Sequence, residues 1–194
     1  MAIAKRKKRF FEVEIPLIGK EVPLQAFEIE ELNGRYIKYD LTRILRGKGT
    51  VLSAKVEVKD HKATANSIKM VILPYYIKRM LRKGTNYVED SFITEAKDAT
   101  IRIKPFLITR RKVSRAVRKA LRNKCKEEIV ERVKKKTTEE ILAELIKGSL
   151  QKQLSVALKK VYPLALCEIR IIEQVKILAK TAQEQKTEAE SKTE

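Results

Sequence analysis

The stretch LALCEIRIIEQVKIL, residues 164–178, decides the fold. A count of two per repeat puts Cys167, Ile169, Ile171, Val175 and Ile177 on one side of an extended chain. The stretch therefore predicts a strand, and it stands behind a long segment of helical period, residues 112–161. A strand leaves N–H and C=O groups open along its edges, and these need partners. The simplest partner is the sheet predicted by the first half of the chain. The C-terminal strand then returns to that sheet, and the fold class is α+β, with basic helices packed on a mainly antiparallel sheet.

Working backwards, Tyr162-Pro163 ends the helical segment. Leu150, Leu154, Ala157, Leu158 and Val161 give one helical face, and Gly148 separates it from an earlier one. That earlier helix opens at Thr137 with Glu140 three residues on, a capping box, and turns Ile141, Leu142 and Leu145 inward. Before it lies RRKVSRAVRKALRNK, residues 110–124, with eight basic residues and no acidic one. Val113, Val117, Ala120 and Leu121 recur every three to four positions and predict an apolar face, which continues through Ile129, Val130 and Val133. Like charges three and four apart cost an isolated helix roughly 0.2–0.5 kcal/mol per pair. A polyanion is the obvious partner to offset that repulsion, against the plainer reading of a solvated face.

Residues 10–109 have mainly period two. Phe11, Val13 and Ile15 alternate with glutamates up to Pro16, and a second, less clean strand carries Val22, Leu24 and Ala26. Asn33-Gly34 signals a turn before the alternation Ile37, Tyr39, Leu41. Leu52, Ala54, Val56 and Val58 then form one arm of a hairpin, which turns at Asp60-His61 into residues 62–70. Pro74 and Gly84 bracket a short helix with Ile77, Met80 and Leu81 on its apolar face and Lys78, Arg79, Arg82 and Lys83 on the remainder. Residues 88–94 and 99–109 read as two strands around Ala96-Lys97-Asp98.

The formal net charge of +19 and a pI near 9.9 call for an anionic partner, nucleic acid or an anionic membrane surface. No apolar run approaches the ~18 residues of a membrane span, and no apolar signal core follows the N-terminal charges. Residues 1–9, with Lys5, Arg6, Lys7, Lys8 and Arg9, read as a basic flexible arm. Residues 10–178 read as a single α+β domain, and residues 179–194 as a disordered polar tail. Cys125 and Cys167 have no metal-ligand spacing and no neighbouring histidine. His61 stands alone in a turn, and Asp40, Asp60, Asp90 and Asp98 are isolated carboxylates suited to turn chemistry. Tyr75 and Tyr76 suit either base stacking or packing. No catalytic residue, metal ligand or cofactor motif stands out, so the expectation is a protein that is not an enzyme.

One family resemblance covers residues 9–178. Lys159-Lys160-Val161-Tyr162-Pro163-Leu164, then Glu168-Ile169-Arg170, is similar to the K-[KR]-I-Y-P-L and E-I-R-K segments of the archaeal and eukaryotic small-subunit ribosomal protein family S-three-a, or eS-one. Gly34-Arg35 followed by Tyr39-Asp40-Leu41 resembles its G-R and D-L. Tyr76-Ile77-Lys78-Arg79-Met80-Leu81-Arg82-Lys83 resembles its Y-L-R-S-L-[IV]-R-R, and Ala116-Val117-Arg118-Lys119 its A-I-R-K. Phe10-Phe11 replaces the usual tryptophan and Ile171 replaces the lysine after E-I-R, so the chain looks like a divergent, archaeal-type member.

The resemblance implies a β-barrel-like core and a non-catalytic, structural role in the cytoplasmic ribosome. It implies a seat on the small-subunit platform, near the 3′ end of the small-subunit rRNA and the mRNA exit. The partners implied are that rRNA, neighbouring platform proteins and mRNA, with no membrane and no small-molecule substrate. From the residues, the expected RNA contacts are Lys5, Arg6, Lys7, Lys8, Arg9, Lys78, Arg79, Arg82, Lys83, Arg110, Arg111, Arg115, Arg118 and Lys119; the resemblance adds Arg35 and Arg170. The alternatives are an RNA-processing enzyme with clustered carboxylates, another kind of RNA-binding protein, or a protein held to anionic membrane by residues 5–9.

Overall fold

The computed structural model describes residues 7–60 and 62–177, the side chain of Ile177 excepted. Lys5, Arg6, His61 and the tail 179–194 therefore lie outside the described residues. The described chain is α+β, with nine strands and four α-helices. It divides into two compact units, and one strand contributes to both.

The first unit comprises the chain up to Lys83 together with Arg170–Ile172. β1 (Arg9–Ile15) pairs antiparallel with β2 (Lys20–Ala26), and Pro23 is accommodated because β2 ends the strand order. A 3-10 turn (Ile29–Leu32) leads to β3 (Tyr36–Asp40). β3 pairs antiparallel with β4 (Thr50–Lys59), and β4 forms the predicted hairpin with β5 (Lys62–Ile72). Asp60 sits in that turn with φ of 48°. A short parallel pairing, Val13 with Ala63 and Glu14 with Thr64, joins β1 to β5. Leu52, Ala54 and Val56 are buried as their alternation predicts, with Val13, Ile15, Ile37 and Leu41. α1 (Pro74–Met80) follows β5.

The second unit comprises Gly84–Ile169 and the remainder of the C-terminal strand. β6 (Tyr87–Glu89) and β7 (Phe92–Glu95) are two strands where one was expected. Both pair antiparallel with β8 (Ala99–Thr109), and the interruption at Asp90-Ser91 faces Lys104-Pro105. Pro105 has no N–H to donate, which accounts for a gap in the ladder there. β8 alternates between buried and half-buried residues up to Lys104; every residue from Pro105 to Thr109 is buried, so both faces are covered.

α2 (Arg115–Val133) packs on β6 and β7, and α4 (Ser149–Lys159) packs on α2 and on α3 (Thr138–Lys147). Leu121, Cys125, Ile129 and Val133 are the buried stripe of α2. Ala120 is exposed, and Val113 and Val117 are only half-buried, so the inward face lies slightly further along the helix than expected. The Thr137 capping box forms in full, and Gly148 links α3 to α4 at φ of 75°. Asp98 strengthens the α3 cap from outside, its carboxylate accepting from Thr138 N at 2.9 Å and Thr138 Oγ1 at 2.8 Å.

β9 (Leu164–Ile177) lies between β5 and β8 in strand order, as a returning C-terminal strand requires. Its buried residues are Leu164, Ile169 and Ile172, whereas Cys167 and Ile171 are half-buried and Val175 is 40% exposed. The expected single apolar side is therefore not sustained. A strand with neighbours on both edges and both faces partly covered has little reason to keep one parity.

Candidate nucleic-acid interface

In the second unit, the end of β8 and the start of α2 are joined by a small hydrogen-bonded latch. Thr109 is fully buried. Its N–H donates to the Asn86 carbonyl at 2.9 Å, and its Oγ1 accepts from Asn86 N at 3.0 Å. The same hydroxyl lies within donating distance of the carbonyls of Arg111, at 2.7 Å, and Asn86, at 2.9 Å. Asn86 Oδ1 in turn accepts from Val113 N at 2.9 Å. Ser114 then caps α2, accepting from Val117 N. The backbone of residues 109–114 is thus held at several points, while Arg110, Arg111 and Lys112 project into solvent.

The helix that follows continues the same charge. Arg115, Lys119 and Arg122 are exposed, and the first turn holds no acidic residue. Cations in a first turn oppose the helix dipole by roughly 0.3–1 kcal/mol each. Arg118 is only half-buried, and its Nε is shielded from water without a hydrogen-bond partner. The ion pair Arg132–Glu128, at 3.0 Å, lies in the last turns of α2, and Lys136 pairs with Glu144 beyond it. Neither neutralises residues 110–119.

In the first unit, α1 is shorter than Pro74 and Gly84 suggest. It ends at Met80, so Arg82 and Lys83 follow the helix rather than belong to it. No α1 residue is fully buried, and Leu81, expected on the apolar face, is 38% exposed. Lys78, Arg79, Arg82 and Lys83 are exposed, and Arg82 has an interaction within the protein. The Arg79 guanidinium lies 5.4 Å from the centre of the Tyr76 ring. Lys7, Lys8 and Arg9 are exposed, the Lys8 ammonium standing 5.5 Å from the Phe27 ring centre. Arg35 is exposed and donates to the Gln25 carbonyl at 3.2 Å. Arg170 is half-buried and already engaged within the protein.

The reactive residue types have local roles. Asp40 accepts from the Thr42 hydroxyl and, at 2.8 Å, from Thr42 N; the hydroxyl bond first, then the N–H, holds its carboxyl below the usual range. Asp90 accepts from Ser91 N at 2.9 Å, and Asp98 caps α3. Among the described residues, no group of three or more His, Cys, Asp or Glu is placed to hold a metal ion. Burial pushes the Cys125 thiol up to about 12, and the carboxylates of Asp90 and Glu128 add to it. No described helix is long and apolar enough to cross a membrane.

Two features are not legible in the sequence. The pairing of Asn86 with Thr109 spans 23 residues and has no local signature. Arg43 and Arg46 are exposed in the turn before β4, where the only sequence signal is a glycine pattern that does not match a phosphate-binding loop.

Fold and surface together define a class: an α+β protein whose polar chemistry is exposed cation on fixed backbone. The comparisons with known proteins are specific. A model of the ribosomal S3Ae family matches residues 5–180, and the chain belongs to that family. It is 29% identical to the small ribosomal subunit protein eS1 of Nanoarchaeum equitans, over 85% of this chain and 87% of that one. It is 27% identical to the protein of the same name from Pyrobaculum arsenaticum, over 87% and 80% of the two chains. It is 30% identical to that of Methanothermobacter thermautotrophicus, over 60% and 62%.

Proposed function

We propose that the protein is a structural constituent of the small ribosomal subunit, and that it works by holding folded rRNA through phosphate contacts. The observation that carries this reading is the run Arg110, Arg111, Lys112, Arg115 and Lys119: exposed, close in sequence and fixed by the Thr109–Asn86 latch. Among the described residues no ion pair to a carboxylate relieves its repulsion, and phosphate oxygens supply the countercharge. Family membership gives the subunit; the finer seat on the platform, near the rRNA 3′ end and the mRNA exit, belongs to the same proposal, as do platform proteins as neighbours. No chemistry is required of it. Lys7, Lys8, Arg9, Lys78, Arg79, Arg82 and Lys83 are the exposed cations that the first unit contributes to this reading, with Arg35 in support. Lys5 and Arg6 extend the arm in sequence. Arg118 and Arg170, both half-buried, are second-rank contacts. The two units are proposed to fold as one domain, since β9 belongs to both.

The test is sedimentation of lysate through a magnesium-containing gradient. The protein is expected at near-stoichiometric level with the small subunit and released only by high salt. The double variant Arg115→Glu/Lys119→Glu is expected to stay folded and to incorporate poorly. With purified RNA, its log affinity against log salt is expected to be shallower by roughly 0.7–0.9 for each phosphate that the variant no longer neutralises. Normal incorporation and an unchanged slope would remove the α2 surface from the interface.

A further inference from the structure

Gly49 is the glycine whose presence the backbone does not explain. The other five glycines have positive φ, whereas Gly49 does not, and it is buried. What excludes a side chain there is Tyr75. A Cβ on Gly49 would lie 2.1 Å from Tyr75 Oη and 2.5 Å from its Cζ. The hydroxyl end of the ring is therefore seated directly on the Gly49 backbone. The same loop is tied to the start of α1 by Leu73 N, which donates to the Gly49 carbonyl at 2.8 Å. Tyr75 is thus fixed at its helix and at its far end, and it remains 52% exposed.

A ring held in this way has little conformational freedom left to lose on binding. Its polar handle, the hydroxyl, is turned toward the protein, and an aromatic face is what remains to offer. Lys78 and Arg79 follow at three and four residues, the spacing that brings side chains to one side of a helix, and both are exposed, the Arg79 guanidinium lying over the neighbouring Tyr76 ring. An aromatic face beside paired cations is the arrangement that takes unpaired nucleotides, base on ring and phosphate on cation. Duplex RNA, whose bases are stacked on each other, has no use for the ring.

We propose that Tyr75 is a base-stacking residue: seated on Gly49, its ring takes an unpaired nucleobase of single-stranded RNA, while Lys78 and Arg79 hold the adjoining phosphate. This deepens the RNA-binding reading above and rests on it. It gives the first unit a preference that the cations of α2 do not need.

The experiment compares the full-length protein's affinity for a short single-stranded oligouridylate with that for a blunt-ended RNA duplex of two fully complementary strands, at one salt concentration. Tyr75→Leu is expected to weaken oligouridylate binding about 5- to 150-fold, the loss of one stacked base, and to leave duplex binding unchanged. Tyr75→Phe is expected to bind both as the parent does. Gly49→Ala unseats the ring, so it is expected to reproduce the Tyr75→Leu loss and to add nothing in the double variant. Unchanged oligouridylate affinity for Tyr75→Leu overturns the proposal and leaves the ring to a protein contact. Equal losses on both RNAs also overturn it, since the ring would then only position α1. Should Tyr75→Leu fail to fold, Gly49→Ala with parental binding overturns it alone. Lys78→Glu/Arg79→Glu separates the two levels: no loss on either RNA means that α1 does not bind RNA at all, whereas a loss on both alongside a silent Tyr75→Leu removes only the stacking.

Discussion

α1 and α2 look alike in sequence, each a basic helix with one apolar face, and the structure anchors them differently. α2 buries Leu121, Cys125, Ile129 and Val133 in one stripe, and a latch and a cap fix its entry. α1 buries no residue fully; it is held by Pro74 at its first turn, by Leu73 N on the Gly49 carbonyl, and by a ring set against that glycine. Charge pattern alone therefore says little about how precisely a cation is placed. In α2 precision comes from a buried stripe with polar bonds ahead of it, and in α1 from contacts at one end.

The widest gap is expected in packing. Leu121→Ala opens a cavity under α2 and is expected to cost about 2–5 kcal/mol in urea unfolding. Ile77→Ala, under α1, is expected to cost only about 1 kcal/mol, because Ile77 is half-exposed already. Similar values for the two would break the comparison.

Next comes the thiol in the α2 stripe. The Cys125 pKa rises from 9.0 to about 12 on burial. A folded pKa above the unfolded one means that its contribution to stability is complete below pH 9 and declines as pH rises from there toward 12. Urea midpoints measured across that window are expected to fall for the parent and to fall less for Cys125→Ala. Equal slopes would show that the thiol ionises without unfolding the stripe.

The latch is expected to have an intermediate effect. Thr109→Val keeps the shape and removes the hydroxyl that Asn86 N and the Arg111 carbonyl use, at about 1–3 kcal/mol. It is also expected to weaken RNA binding although it deletes no charge. Loss of stability with RNA affinity intact would show that the latch does not place Arg110 and Arg111. The smallest effect belongs to the cap: Ser114→Ala is expected to cost about 0.5–1 kcal/mol, at the weak end because the bond is long at 3.4 Å. A thermal melt resolves it, and a loss as large as that of Thr109→Val would place the anchoring of α2 in its cap.

What is legible in the sequence is local. The Thr137 box, Gly148, and the alternation Leu52, Ala54, Val56 each encode their structure within a few residues, and each forms as its pattern predicts. The run of cations in residues 110–119 is equally plain, but where its helix begins is not. Eight basic residues in fifteen obscure a boundary that a bond from Asn86, far back in the chain, helps to set. Gly49 and Tyr75 are both visible as residues, yet only folding brings them together. β9 misleads on parity because period two marks a face only when the opposite face is wet. Distant pairings and two-sided burial leave no periodic trace, and the proposed interface rests on the first of these.

The position of β9 also has a consequence in time. Each unit includes part of this strand, and the ribosome makes it after every other described element. At about 5–20 residues per second, synthesis reaches β9 several seconds after it completes β8. Until then β8 waits with one edge unpaired, and β5 with an edge that β1 covers only at Ala63 and Thr64, on a chain already strongly cationic and surrounded by RNA. Neither surface is finished before its last strand arrives, so premature capture of a half-made protein by RNA would find the cations without the sheet that places them.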